Sequence, residues 1–224
     1  MKSSELAFFG KIAAGVTHEL KNVLAIINES NGLMGDLLGM VKDSPFPHRD
    51  RFQRSIGRIE EQVRRGVEIT SRFNQFSHSM DRERAEIDLN EVVARTIALS
   101  ERFARLSNLD LRGIPSATPV AFVTNPFKLQ MVLTRAIEAC MAGMAGKGSI
   151  SLMVREEQDT PCIELECRVE DGGTVDLLEA FAKKPELIDF QEIAAEVEID
   201  TARVLRTGFT LLFRAGSLHL AGAQ

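Results

Sequence analysis

A run of apolar and small residues near the N-terminus, spaced alternately three and four apart, constrains this fold most. The run comprises Leu6, Phe9, Ala13, Val16, Leu20, Val23, Ile27, Met34, Leu37 and Val41. Only Ser30 interrupts it. Such a/d spacing is typical of a helix packed in a bundle. A helix from Ser3 or Ser4 to Lys42 would be about 60 Å long, so we expect it to pack against other helices.

A second apolar series follows a proline-containing break at residues 44–47. Its members are Phe52, Ile56, Ile59, Val63, Gly66, Thr70 and Phe73. Two long helices with a short connection predict an antiparallel hairpin, and its two apolar seams predict a homodimeric four-helix bundle. Seven arginines between residues 49 and 72 form either a solvated face or a basic surface that attracts an acidic partner.

The rest of the chain predicts a different architecture. Residues 81–87 are charged and predict a linker, and Asp88-Leu89-Asn90-Glu91 predicts a capping box at the start of a helix. Strands are predicted at 109–114, 120–123, 149–155, 162–169 and 217–220. Helices are predicted from Asn125-Pro126 to about 143, and at 177–182, 188–197 and 201–213. We therefore expect a hairpin over 1–80, a linker over 81–87 and an α+β domain over 88–224, with a mixed sheet covered by helices on one face.

Composition narrows the functional classes. A net charge of −5 argues against general nucleic-acid binding. Cys140, Cys162 and Cys167 lack metal-ligand spacing, which favours buried, reduced thiols and no metal site. The sequence shows neither an apolar run long enough to span a membrane nor a secretory signal, so we expect a cytoplasmic protein.

One string on the first helix carries a more specific signal, namely Gly15-Val16-Thr17-His18-Glu19-Leu20-Lys21-Asn22. It resembles the H-box of two-component sensor histidine kinases, and so does its setting of hairpin, charged linker, capped helix and α+β module. The resemblance implies a dimerisation and phosphoacceptor hairpin followed by an ATP-binding domain. The heptad places His18 at position f, facing away from the seam.

The resemblance also implies roles for three residues. His18 matches the phosphoacceptor, and Glu19 matches the acidic neighbour that orients its imidazole. Asn22, one helical turn further on, matches the position linked to dephosphorylation of the partner regulator. Val23 stands where the family usually has proline, so the kink common in the family is not expected here.

The nucleotide boxes match the family poorly. Alignment on Gln130-Met131-Val132-Leu133 places Thr134 and Glu138 at the two asparagines of the family's N-box, including the Mg²⁺ ligand. Asp171 and Gly173 align with the adenine-binding box, whose second glycine is missing. A triphosphate needs close backbone approach and a metal ligand, so we expect a degenerate, pseudokinase-like domain that does not bind ATP.

These observations favour a protein that passes or removes phosphoryl groups between His18 and an aspartate of a response-regulator receiver domain. The regulator would supply Mg²⁺ with its acidic pocket. A non-catalytic dimeric scaffold that docks a regulator or another histidine kinase is the alternative. An autophosphorylating kinase with a divergent ATP site is a minor one.

Overall fold

The computed structural model describes residues 3–40, 48–81, 83–145, 147–157, 160–170, 174–175, 177, 193–197, 199–204 and 207–213. The chain divides into a helical unit, residues 1–77, and an α+β unit, residues 78–224. Among the described residues, no helix combines the length and hydropathy needed to cross a membrane.

The helical unit is the predicted antiparallel hairpin of α1 (Ser3–Met40) and α2 (Arg49–His78). Aromatic rings lock the start of α1 to the end of α2. Phe8 meets Phe76 edge to face at 5.6 Å between ring centroids, and Phe9 stacks on Phe76 at 5.8 Å. Further along, Gly66 lets the helices approach closely, because a Cβ at this position would lie 3.3 Å from a Val23 methyl carbon.

The seam between α1 and α2 differs in register from the predicted series. On α1 the buried residues are Phe8, Ile12, Val23, Ser30 and Leu37, whereas Leu6 is 58% exposed. On α2 they are Ser55, Ile69 and Phe76. Several predicted seam residues remain partly or largely exposed. Each helix of the hairpin has more apolar surface than the other helix covers.

The α+β unit is built on a five-stranded mixed sheet. Its strands are β2 (Leu109–Ile114), β5 (Gly148–Glu157), β6 (Thr160–Val169), β8 (Ile199–Val204) and β9 (Gly208–Phe213). The spatial order is β2-β5-β6-β9-β8, with β2 and β5 parallel and the other neighbours antiparallel. Two small antiparallel pairs join β1 (Ala85–Asp88) to β3 (Ala121–Thr124), and β4 (Met144–Ala145) to β7 (Thr174–Val175).

The two long helices of this unit begin at the predicted caps. Asp88 precedes α3 (Leu89–Leu106), and its carboxylate accepts from the backbone N–H groups of Asn90 and Val120. Asn125 caps α4 (Pro126–Gly143) by accepting from the N–H of Lys128. Asx caps satisfy N–H groups that the first helical turn leaves unbonded, and a proline at N1 has no such group to satisfy.

Two expectations are corrected. The sequence predicts a helix over 201–213, but residues 201–204 belong to β8 and residues 208–213 to β9, which pairs with it in antiparallel fashion. Gly208 explains part of this, since a Cβ there would lie 2.7 Å from the Leu165 carbonyl oxygen, and the buried Leu211 and Phe213 alternate as in a strand. The expected linker at 81–87 contains the start of β1, which pairs with β3.

Other predicted elements lie wholly or partly outside the described residues. They are the helix at 177–182, of which residue 177 is described, and the strand at 217–220. Of the helix at 188–197, residues 193–196 form a helical turn.

Candidate functional site

His18 lies near the middle of α1 with its side chain exposed, as position f predicts. Glu19 is half-buried, and Asn22 is exposed one turn further along the helix. Residues four apart are neighbours on a helix surface, so the histidine and the asparagine amide can contact the same bound group. The hydroxyl of the preceding Thr17 donates to the Ala13 carbonyl at 2.7 Å, which directs it to the backbone.

An apolar groove of about 760 Å³ runs along one side of the hairpin. Its walls include Leu20, Leu24 and Ile27 from α1, and Val63 and Val67 from α2. Leu24 and Val67 are 62% and 65% exposed, which is unusual for aliphatic side chains on adjoining helices. The sequence series missed both residues, because each lies one position beyond a seam residue.

His18 and the groove lie on opposite sides of this seam. In each helix the residue after a contact residue lines the groove, as Leu24 follows Val23 and Val67 follows Gly66. At about 100° per residue, the residue before each contact lies on the other side. Asn22 and Arg65 occupy those positions. We call this side, with His18, Asn22 and Arg65, the histidine flank.

The predicted nucleotide-box residues lie in the α+β unit. Thr134 is buried at 2% exposure, and its hydroxyl donates to the Gln130 carbonyl at 2.8 Å. Glu138 is half-buried, one turn further along α4. Asp171 and Gly173 lie outside the described residues. The described geometry therefore brings His18, Glu19 and Asn22 together on one helix, and Thr134 and Glu138 together on another.

The three cysteines are buried free thiols. Cys162 pairs across the strands with Arg155, and Cys167 with Ile150, so the two thiols point to opposite faces of the sheet, as their spacing predicts. A hydrogen bond with Cys167 raises the pKa of the Cys140 thiol well above its ordinary value, and burial raises that of Cys162 to about 11. Within the described residues, His, Cys, Asp and Glu side chains form no cluster suited to a metal ion.

Comparison with known proteins supports the resemblance to two-component sensor histidine kinases. No family model matches the chain. The sensor protein FixL of Bradyrhizobium diazoefficiens is 25% identical over 173 residues, which span 76% of this chain and 33% of FixL. The chain is related to the two-component sensor histidine kinases. It covers about a third of the length of this relative.

Two solved structures of histidine kinases are similar to this chain at low sequence identity. The histidine kinase AdeS of Acinetobacter baumannii is 16% identical, with 89% of this chain and 98% of AdeS covered and a TM-score of 0.48. The histidine kinase ThkA, solved in complex with the response regulator protein TrrA, is 14% identical, with 93% of this chain and 61% of that chain covered and a TM-score of 0.39.

Proposed function

We propose that this chain passes or removes phosphoryl groups between His18 and an aspartate of a response-regulator receiver domain. The observation that carries the proposal is an exposed histidine within an H-box-like string. This histidine lies on the side of the hairpin opposite the apolar groove. Relatedness to sensor histidine kinases supplies the chemical context.

An imidazole suits this chemistry because its unprotonated nitrogen can attack phosphorus near neutral pH. When the phosphoryl group moves from the regulator's phosphoaspartate to His18, the bond between the imidazole nitrogen and phosphorus forms as the bond between phosphorus and the aspartate oxygen breaks. Glu19 would accept a hydrogen bond from the other ring nitrogen and so orient the ring. Asn22 would position a water for hydrolysis of the phosphoaspartate. Positioning and charge stabilisation dominate phosphoryl transfer, and Mg²⁺ held by the regulator's carboxylates would neutralise the phosphoryl oxygens.

We further propose that the groove is the contact between two copies of the chain, which would complete a four-helix bundle. Exposed Leu24 and Val67 on a 760 Å³ apolar groove support this, because a second hairpin would bury them without covering His18. Replacing Val67 with Asp should shift the protein from dimer to monomer in light scattering at micromolar concentration. Gln75→Asp, on an exposed position of α2 outside the groove, is the matched control. A monomeric wild-type chain would overturn this contact.

The absence of ATP binding is also a proposal. Its support is that Thr134, aligned with an asparagine of the N-box, is buried and directs its hydroxyl to the helix backbone. Incubation with radiolabelled Mg-ATP should leave no acid-labile, base-stable phosphate on the chain. Labelling would instead favour the autophosphorylating kinase.

The decisive experiment offers the chain a panel of receiver domains, each phosphorylated by acetyl phosphate. With the wild-type chain, phosphate should either be transferred from a receiver domain to the chain, or be lost from the receiver domain faster than it is when the chain is absent. His18→Ala should abolish transfer to the chain, and Asn22→Ala should slow phosphate loss from the regulator. His78→Ala, which changes an exposed histidine paired with Asp81, is the control. If variants of both His18 and Asn22 act like the wild type, the catalytic proposal fails and the scaffold alternative stands.

A further inference from the structure

Five of the seven arginines of α2 form an ordered stripe rather than a scattered solvated surface. Arg51, Arg54, Arg58, Arg65 and Arg72 immediately precede the α2 residues Phe52, Ser55, Ile59, Gly66 and Phe73, all buried or half-buried. They therefore lie on the histidine flank. We call this set the arginine stripe. From Arg51 to Arg72 it spans 21 residues, or about 31 Å of helix.

Most of this stripe has no ion-pair partner. Arg72 is paired with Glu68, but Arg51, Arg54, Arg58 and Arg65 are exposed and form no ion pair with any described residue. Arg51 and Arg54 lie near the positive end of the α2 dipole, and Arg54 and Arg58 are like charges four residues apart. Both arrangements disfavour the helix. Fold stability therefore does not explain the stripe, and such local conflicts mark functional surfaces.

The stripe lies beside His18 along the hairpin. Because Val23 contacts Gly66 and the helices are antiparallel, Arg72 is about level with His18. Arg54 lies about 26 Å from that level, counted as 17 residues of helix rise. A domain of about 100 residues has a radius of gyration of ~13 Å and is therefore more than about 26 Å across, so one whose edge is seated over His18 would extend as far as Arg54.

The facing side of the flank has the opposite sign. On α1, the residues that precede the buried Ser30 and Leu37 are Glu29 and Asp36, and neither forms an ion pair with a described residue. By the same criterion, Glu68 lies on the α2 side and Lys11 on the α1 side, toward the other end of the hairpin. At the level of Arg51 to Arg58, the flank is thus basic along α2 and acidic along α1. A split of this kind attracts an acidic surface to one side and repels it from the other, which fixes the orientation of a bound partner.

We infer that the arginine stripe is the electrostatic docking surface for the acidic face of a receiver domain, so that this face contacts α2 rather than α1. The inference rests on the proposed function, which brings a pocket of carboxylates to His18. It assigns to α2 the task of raising the association rate, separately from the chemistry at His18.

The test measures association rates of the full-length chain with the receiver domains of the panel at low and high salt. The double variant Arg54→Glu/Arg58→Glu should associate about tenfold more slowly at low salt, with the difference shrinking at high salt because ions screen exposed charges. Arg54→Gln/Arg58→Gln should give a smaller decrease in the same direction. The single variants Arg58→Glu and Arg64→Glu make equal charge changes, the first on the stripe and the second on the face of α2 that points away from the seam. Arg58→Glu should slow association about threefold, and Arg64→Glu should change the rate less than twofold.

The outcomes separate this inference from the proposed function. His18→Ala should keep wild-type association while losing phosphoryl transfer. If receiver domains bind and exchange phosphate with His18 but the double variant associates like the wild type, the stripe is not the docking surface. Equal slowing by Arg64→Glu and Arg58→Glu would reduce the effect to net charge and also overturn the inference. If no receiver domain binds, the proposed function fails first. If the double variant loses binding only to phosphatidylglycerol vesicles or duplex DNA, the stripe serves a different partner.

Discussion

Replacing Ser30 with Ala should stabilise the helical unit. Ser30 interrupts the apolar series of α1, yet it is buried in the seam at 2% exposure, and its hydroxyl oxygen has no hydrogen-bond partner among the described residues. An unpartnered buried hydroxyl costs about 1–3 kcal/mol, and the change to alanine removes it while leaving little empty space. Alanine also has the higher helix propensity, by about 0.5 kcal/mol.

Asn31→Ala separates the two contributions. Asn31 is the next residue of α1, is exposed, and has a helix propensity close to that of serine. We expect Ser30→Ala to stabilise the unit by about 1–2 kcal/mol more than Asn31→Ala does. For a unit of this size, 1 kcal/mol corresponds to a rise in Tm of roughly 4–8 °C.

The assay is urea unfolding followed by far-ultraviolet circular dichroism, with helix loss as the signal. The slope with denaturant should be the same for all three proteins, so that midpoints report stability alone. If Ser30→Ala is less stable than Asn31→Ala, then the hydroxyl of Ser30 makes a favourable interaction in the folded protein, and the reasoning from an unpartnered hydroxyl is refuted.

Three further predictions concern packing, protonation and capping. Gly57→Ala should stabilise α2 by about 1 kcal/mol, since nothing lies within 4 Å of the new Cβ, whereas Gly66→Ala should gain less because a valine methyl lies 3.3 Å away; thermal unfolding of both variants compares them. Because the pKa of Cys162 is raised from 9.0 to about 11 in the folded chain, stability should fall as pH rises from 9 to 11, and Cys162→Ala should weaken that fall in urea titrations across this range. Asn125→Ala should lower the free energy of unfolding by about 1 kcal/mol, and Asp88→Ala should lower it more, because the Asp88 carboxylate accepts hydrogen bonds from two N–H groups rather than one. Equal unfolding midpoints of the two variants in denaturant would contradict the larger role of Asp88.

The elements that the sequence predicted correctly depend on local signals. The caps at Asp88 and Asn125 satisfy N–H groups within three residues, so residue type and position are enough to recognise them. The exposed position of His18 follows from the periodicity of α1 alone. The alternation of β5 and β6 is likewise visible in the strands themselves.

The elements that it missed depend on contacts between distant residues. Residues 201–213 contain good helix formers, but Gly208 meets the backbone of Leu165 across the sheet, and no local signal records that contact. The predicted register of the seam was wrong for the same reason, since it too depends on contacts between residues that are distant in the sequence. Both Ile56 and Ser55 fit a heptad on α2, and the structure buries the serine and leaves 45% of the isoleucine exposed. The sequence predicted one apolar seam on α2, and the structure buries a different set of residues, Ser55, Ile69 and Phe76.

This ambiguity of register follows from the division of the hairpin surface into three parts. A helix that packs only against one neighbour needs a single apolar stripe, whereas α2 has a seam, a second apolar wall beside it at Val63 and Val67, and charged residues on the remaining side. At Ser55 and at Gly66, the seam residue of α2 accordingly has an apolar neighbour on one side and an arginine on the other, as in the tripeptide Arg65-Gly66-Val67. The same arrangement on α1, Asn22-Val23-Leu24, places the proposed self-association surface and the proposed regulator surface on opposite sides of one contact. A second copy and a receiver domain can then occupy the hairpin at the same time without competing for His18.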